Sequence, residues 1–191
     1  MGGMKSGIRF AAFASGPIGA DKHATSGRTA IVAVVAKKDE VEGILSSRIG
    51  INATDSTAAI LKMIARSRFR DQIKLVVLNG IALAGLNIVD AERLKAKGLE
   101  LMVITRHKPR PPKLVYALNT YARKSKVPVG ERIKIVKNFA KWKLEKISGF
   151  YVKSTMQRSD YTQIYEHALG MLRLSHLIAS GISKGESKGR M

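Results

Sequence analysis

The stretch KLVVLNGIALAGLNIVD, residues 74–90, starts as an apolar run, breaks at Asn79-Gly80, and continues through small residues to Asp90. With Ile73 ahead of it, the run IKLVVL (73–78) reads as a strand from the interior of a sheet, short, β-branched and apolar. A strand that stops at a polar residue plus Gly delivers a side chain to the rim of its sheet. Here that group is the amide of Asn79, which carries no charge.

The flanking segments fit the same architecture. TAIVAVVA (29–36) is a second buried strand, and the polar KKDE at 37–40 turns it into VEGILSSRIG (41–50), a hairpin partner. NATD (52–55) offers helix-cap chemistry for a helix over 55–69, with Ala58, Leu61, Ile64 and Ala65 on its apolar face. Residues 87–98 read as a helix stopped by Gly98, and LELMVITR (99–106) as another buried strand. HKPRPPK (107–113) ends that strand, because proline cannot continue a ladder. Alternating strands and helices define an α/β protein with part of its sheet parallel. The C-terminal half reads as helical, over 113–124, 131–147 and 161–180, with Ile133, Val136, Ala140, Leu144 and Ile147 as the stripe of the middle helix. No repeat or linker divides the chain, so residues 1–180 form one domain and 181–191 a short, basic, flexible tail.

Composition narrows the function. The chain has 191 residues, enough for a sizeable core, and no Cys, which excludes disulfides and thiolate metal sites. No apolar run reaches the roughly 18 residues that span a bilayer, so no membrane partner is expected. Thirty-four Lys and Arg face fourteen Asp and Glu, a net charge of +20. A domain this basic repels itself unless a polyanion neutralises it. The surplus is six over residues 1–104 and fourteen over 105–191, as for a binding surface carried on a near-neutral scaffold.

Residues 106–146 carry thirteen Lys and Arg against Glu131 and Glu145, interleaved with Tyr116, Tyr121, Phe139 and Trp142. Cations there would contact phosphates, and exposed aromatics could stack on unpaired bases. Phe139 reads as core; Trp142, between Lys141 and Lys143, fits either role. The candidate nucleic-acid-binding residues are Arg106, Lys108, Arg110, Lys113, Arg123, Lys124, Lys126, Lys134, Lys137, Lys141 and Lys143, with Lys184, Lys188 and Arg190 from the tail. No P-loop, dinucleotide fingerprint or nucleophile elbow is present, and His23, His107, His167 and His176 lack metal-ligand spacing.

The segments GIRFAAFASGPI, VEGILSSRIGIN, SRFRDQIKLVVLNGIALAGLNIVD, VITRHKP and LRLSHLIASGISKGESKGR occur in order along nearly the whole chain. Together they resemble the archaeal family catalogued as domain of unknown function ninety-nine, considered related to endonuclease V. The resemblance implies an RNase H-like fold, a mixed sheet flanked by helices. It also implies an Asp pair after the first strand, where this chain has Ala14 and Ser15, and an Asp-Gly where it has Asn79-Gly80. Asn52 stands where a further family Asp is implied.

Those differences decide the chemistry expected. Mg²⁺ takes anionic oxygen ligands, and two ions about 4 Å apart on one scissile phosphate need several carboxylates. Ala14 offers no ligand, Ser15 a neutral hydroxyl and Asn79 a neutral carbonyl. The expectation is therefore a degenerate former active site with no catalytic residues, no bound metal and no cofactor. The function expected is cytoplasmic binding of RNA, foremost rRNA in a ribosomal subunit beside neighbouring ribosomal proteins. The rivals are a metal-dependent nuclease acting on DNA or RNA, with Asp21, Asp55 and Asp90 as replacement ligands, and a DNA-binding or chromatin protein.

Overall fold

A computed structural model describes residues 7–19 and 27–185. Fifteen elements follow the chain: β1 (Arg9–Ser15), β2 (Arg28–Lys37), β3 (Glu40–Gly50), α1 (Ser56–Arg66), β4 (Ile73–Leu78), β5 (Ala82–Leu83), β6 (Asn87–Ile88), α2 (Ala91–Lys95), β7 (Glu100–Thr105), α3 (Pro111–Ser125), α4 (Gly130–Ala140), β8 (Glu145–Ile147), β9 (Phe150–Ser154), α5 (Arg158–Thr162) and α6 (Tyr165–Lys184). Seven strands form one sheet in the order β3-β2-β1-β4-β7-β9-β8. The inner strands β1, β4 and β7 run parallel, while β2, β3, β9 and β8 join antiparallel. This is the mixed sheet flanked by helices that the resemblance implied.

Burial explains why the inner strands read as continuous apolar runs. Even-numbered residues of β1 (Phe10, Ala12) pack with Leu75, Val77, Met102 and Ile104 under Tyr165, Ala168 and Leu172 of α6. Odd-numbered residues (Ala11, Phe13) pack with Val76, Leu78, Leu101 and Val103 on the opposite face, covered by α1, α2, α3 and α4. A strand buried on both faces has no polar side to alternate with. β3 is different: it is an eleven-residue edge strand, with Val41 43% and Ile44 53% exposed.

Four sequence expectations need correction. The helix expected over 131–147 stops at Ala140, and residues 145–147 form β8. Lys153 of β9 donates to the carbonyls of Phe139, Ala140 and Trp142, at 3.0, 3.0 and 2.8 Å, and so satisfies the orphan acceptors where α4 ends. The helix expected over 87–98 is only α2, because Asn87 and Ile88 pair with Leu83 and Ala82 and Asp90 caps the helix by accepting from Glu92 N and Arg93 N. The buried face of α1 is Ser56, Thr57, Ile60, Met63 and Ile64, so Ala58 and Ala65 are exposed. Finally, α6 runs to Lys184 with Gly185 in the left-handed cap position, four residues into the stretch read as tail. Asp21, His23, Lys188 and Arg190 lie outside the described residues.

Candidate nucleic-acid interface

Two places on the sheet rim matter. The first is the C-terminal end of β1 and β4. Their parallel register pairs Phe13 with Leu78, which sets Ala14 level with Asn79, one strand spacing of roughly 4.8 Å away. Ala14 is 4% exposed and packs with Val32 of β2 and Ala179 of α6. Gly16 follows under the last turn of α6. A Cβ there would lie 2.0 Å from Ser183 Oγ, 2.8 Å from Thr29 Oγ1 and 3.1 Å from the Ala179 carbonyl, so α6 covers Gly16 closely. Ser15 points to the other face, where its Oγ accepts a 3.0 Å bond from Ala84 N. Asn52 is buried, with its Oδ1 accepting from Leu86 N at 2.9 Å and its carbonyl accepting from Arg132 Nη1 at 2.7 Å. Asn79 is exposed.

This rim does not fit a pair of divalent cations. Ala14, Ser15, Asn52 and Asn79 supply no negative charge, and Ala14 faces helix atoms rather than solvent. The carboxylates nearest in sequence are already engaged. Asp55 accepts from Gly50 N at 3.1 and 3.2 Å and from Asn87 Nδ2 at 2.7 Å. Asp90 caps α2. Among the described residues, no group of three or more His, Cys, Asp and Glu is placed to hold a metal ion.

The second place lies at the end of β7, the strand next to β4. Here an open groove of about 930 Å³ runs between the 106–108 loop and the first two turns of α3 on one side and the β8–β9 hairpin on the other. Arg106, Lys108, Arg110, Lys113 and Lys146 line it with His107 and Tyr151, and no carboxylate does. Four of the residues chosen from the sequence thus converge. Thr105 Oγ1 donates to the His107 carbonyl at 2.9 Å and orders the loop. Pro111 and Pro112 open α3 without N–H groups, and Lys113 N bonds back to the Arg110 carbonyl, so the positive character of the groove comes from side-chain cations rather than the helix start.

The hairpin wall is anchored at three points. Besides Lys153, Glu145 pairs with Lys143 at 3.0 Å and Arg158 at 2.8 Å, and Tyr165 Oη donates to the Ile147 carbonyl at 3.1 Å. The Lys143 ammonium, followed by Tyr161 and Arg158, holds the Glu145 carboxyl below its ordinary range. Burial first, then the bond to Glu145, pushes the Tyr161 hydroxyl up to about 12. Burial alone lowers the Lys153 ammonium, whose ligands are three carbonyls and the Phe139 ring at 4.9 Å.

The other chosen residues do not line the groove. Arg123, Lys124 and Lys126 are exposed at the far end of α3, and Lys137 and Lys141 are exposed on α4. Lys134 sits in a separate 200 Å³ pocket with Asp90, Glu92 and Glu131, Lys143 is paired with Glu145, and Lys184 ends α6. Arg132, inside the basic stretch, is 3% exposed and holds loop carbonyls, so it cannot reach a phosphate. Tyr121 and Phe139 are core, and Trp142 packs edge-on against Phe139 at 5.3 Å. Tyr116 is 68% exposed. The sequence reading missed Tyr151 and the hairpin, although Ser148-Gly149 is a turn signal, observed with φ of 47° and 85°.

The seven-strand mixed sheet and its flanking helices define an endonuclease V-like scaffold of the RNase H class. Human endonuclease V shares it at a TM-score of 0.51 and 9% identity, over 92% of this chain and 84% of that one. The family model described as endonuclease dU matches residues 6–183, and the chain belongs to that family. It is 32% identical to a UPF0215 protein of Methanosarcina mazei, over 80% of this chain and 81% of the relative. A UPF0215 protein of Thermococcus gammatolerans is also 32% identical, over 96% of both chains. A solved protein of unknown function from Archaeoglobus fulgidus superposes with a TM-score of 0.78 at 26% identity, covering 93% of this chain and 99% of that one. The family is thus archaeal and endonuclease V-related, as the resemblance implied. Among the described residues, no helix is long and apolar enough to cross a membrane.

Proposed function

We propose that this chain is a non-catalytic RNA-binding protein, its nuclease-like scaffold kept as a binding surface and its ligand foremost rRNA in a ribosomal subunit. The observation that carries this reading is the acid-free cationic groove at the end of β7, in a chain whose old strand ends present Ala14, Ser15 and Asn79. Cations that meet phosphates release condensed counterions, so the logarithm of the affinity falls linearly with log salt, with a slope of about 0.7 per contact on a single strand. Filter binding of the full chain to rRNA across a salt series should give a slope of several contacts; a flat dependence overturns the reading. Co-sedimentation with one ribosomal subunit checks the rRNA version.

One observation favours a second reading, the family's description as endonuclease dU. On it, the chain would cut deoxyuridine-containing nucleic acid with a divalent cation. Incubation of labelled strands with Mg²⁺ or Mn²⁺, with and without a chelator, separates the two. We expect no metal-dependent cleavage, because the rim lacks the charge to hold the ions.

A further inference from the structure

We propose that the groove between α3 and the β8–β9 hairpin takes an unpaired strand, with the Tyr151 ring as the stacking surface for one base. This rests on the polyanion-binding reading above and adds where the strand lies and why it is single.

Stacking comes first. A protein ring can stack only on a base that is not already paired and stacked inside a duplex, so an aromatic in a cationic groove suits an unpaired strand. Charge suits the same ligand. Arg106, Lys108, Arg110 and Lys113 line one side and Lys146 the other, so a strand inside meets cations from both.

The aromatic supplies the rest. Tyr151 sits opposite Lys146 in the β8–β9 ladder, with the Lys146 Nζ 5.8 Å from its ring centroid. Leu114 and Ala117 of α3 also line the groove, so a base placed there finds apolar surface as well as a ring. Between Lys146 and Tyr151 the turn residue Gly149 has φ of 85°, and nothing lies within 4 Å of where a Cβ would be. The backbone there is bare and open to a passing strand. The anchors on Glu145, Ile147 and Lys153 hold this wall in place before any ligand arrives, which lowers the ordering cost of binding.

The test uses the full chain and a fluorescent twelve-nucleotide unstructured RNA, free or annealed to its complement, read by anisotropy across a salt series, the two forms being compared at equal salt. The single strand should bind at least tenfold tighter than the duplex. Tyr151→Leu should weaken single-strand binding roughly tenfold or more while leaving the salt slope unchanged, since stacking and not charge is lost. Tyr151→Phe should restore it, and 2-aminopurine in the strand should be quenched by the parent chain and not by Tyr151→Leu. The quenching is read on the parent chain, so a Leu variant that fails to fold does not block the test. Equal duplex affinity, or an unquenched probe on the parent chain, overturns this inference and leaves the polyanion reading standing. If neither the single strand nor the duplex binds, both readings are overturned.

Discussion

The rim at Ala14 and Asn79 and the groove at Tyr151 lie at the same end of one sheet, two to three strands apart, and they differ in what closes them. The β1 side of the rim is covered by the end of α6, where Ser183 and Ala179 lie close over Gly16. The groove is open, walled by a hairpin that extends the sheet beyond β7. The side chains of Ala14, Ser15, Asn52 and Asn79 bring no charge to the first place, whereas five cations line the second. One sheet end can thus present surfaces of opposite character on neighbouring strands.

The most severe way to break this comparison is to remove the groove's charge. Changing Lys108, Arg110 and Lys113 together to Ala should weaken RNA binding roughly a hundredfold, at about 1 kcal/mol per lost contact, and lower the salt slope by about 2. Unchanged binding would move the interface elsewhere. Next comes Ala14→Asp, which reinstates a carboxylate at a position 4% exposed. A buried charge without a partner costs about 3 kcal/mol, so thermal unfolding should occur at lower temperature, with no Mg²⁺-dependent cleavage gained. Lys153→Met, which keeps the stem and removes the ammonium, should cost about 2 kcal/mol by leaving three carbonyls without their donor, and should loosen the hairpin.

Smaller effects sharpen the contrast. The Tyr161 hydroxyl, raised from 10.0 to about 12, keeps its proton in the native state while the unfolded chain loses it. Stability from this group is complete below pH 10 and is lost as pH rises toward 12. Urea titrations at pH 9 and 11 should show a drop that Tyr161→Phe reduces. Asn79→Asp should change stability by less than about 0.5 kcal/mol, since the side chain is exposed. A large loss would mean that Asn79 is a structural member of the rim.

The inner strands were legible because burial on both faces leaves an apolar run that no helix of that length would need, as in IKLVVL. The basic loop was legible because HKPRPPK cannot be a strand or helix interior and its charge must face solvent. The hairpin was not: Leu144 and Ile147 fall at helical spacing from Val136 and Ala140, and the Ser148-Gly149 turn signal is only two residues long. What ends α4 is Lys153, a contact from a strand thirteen residues beyond the Ala140 carbonyl it caps, which no local pattern reports. Arg132 and Asn87 were invisible for the same reason. A basic or amide residue inside a polar run reads as surface until the tertiary structure turns its head toward loop carbonyls, as Arg132 does, or toward Gly50 O and Asp55, as Asn87 does.

The long outer strand β3 has a colloidal consequence. Its unpaired backbone and the side chains of Val41 and Ile44 form the kind of edge along which two copies of a chain add to each other's sheets. At +20 two such molecules repel before those edges meet. The cations proposed to grip a polyanion therefore also oppose self-association of the free protein, and their neutralisation by counterions or by short anionic fragments would favour pairing along that edge.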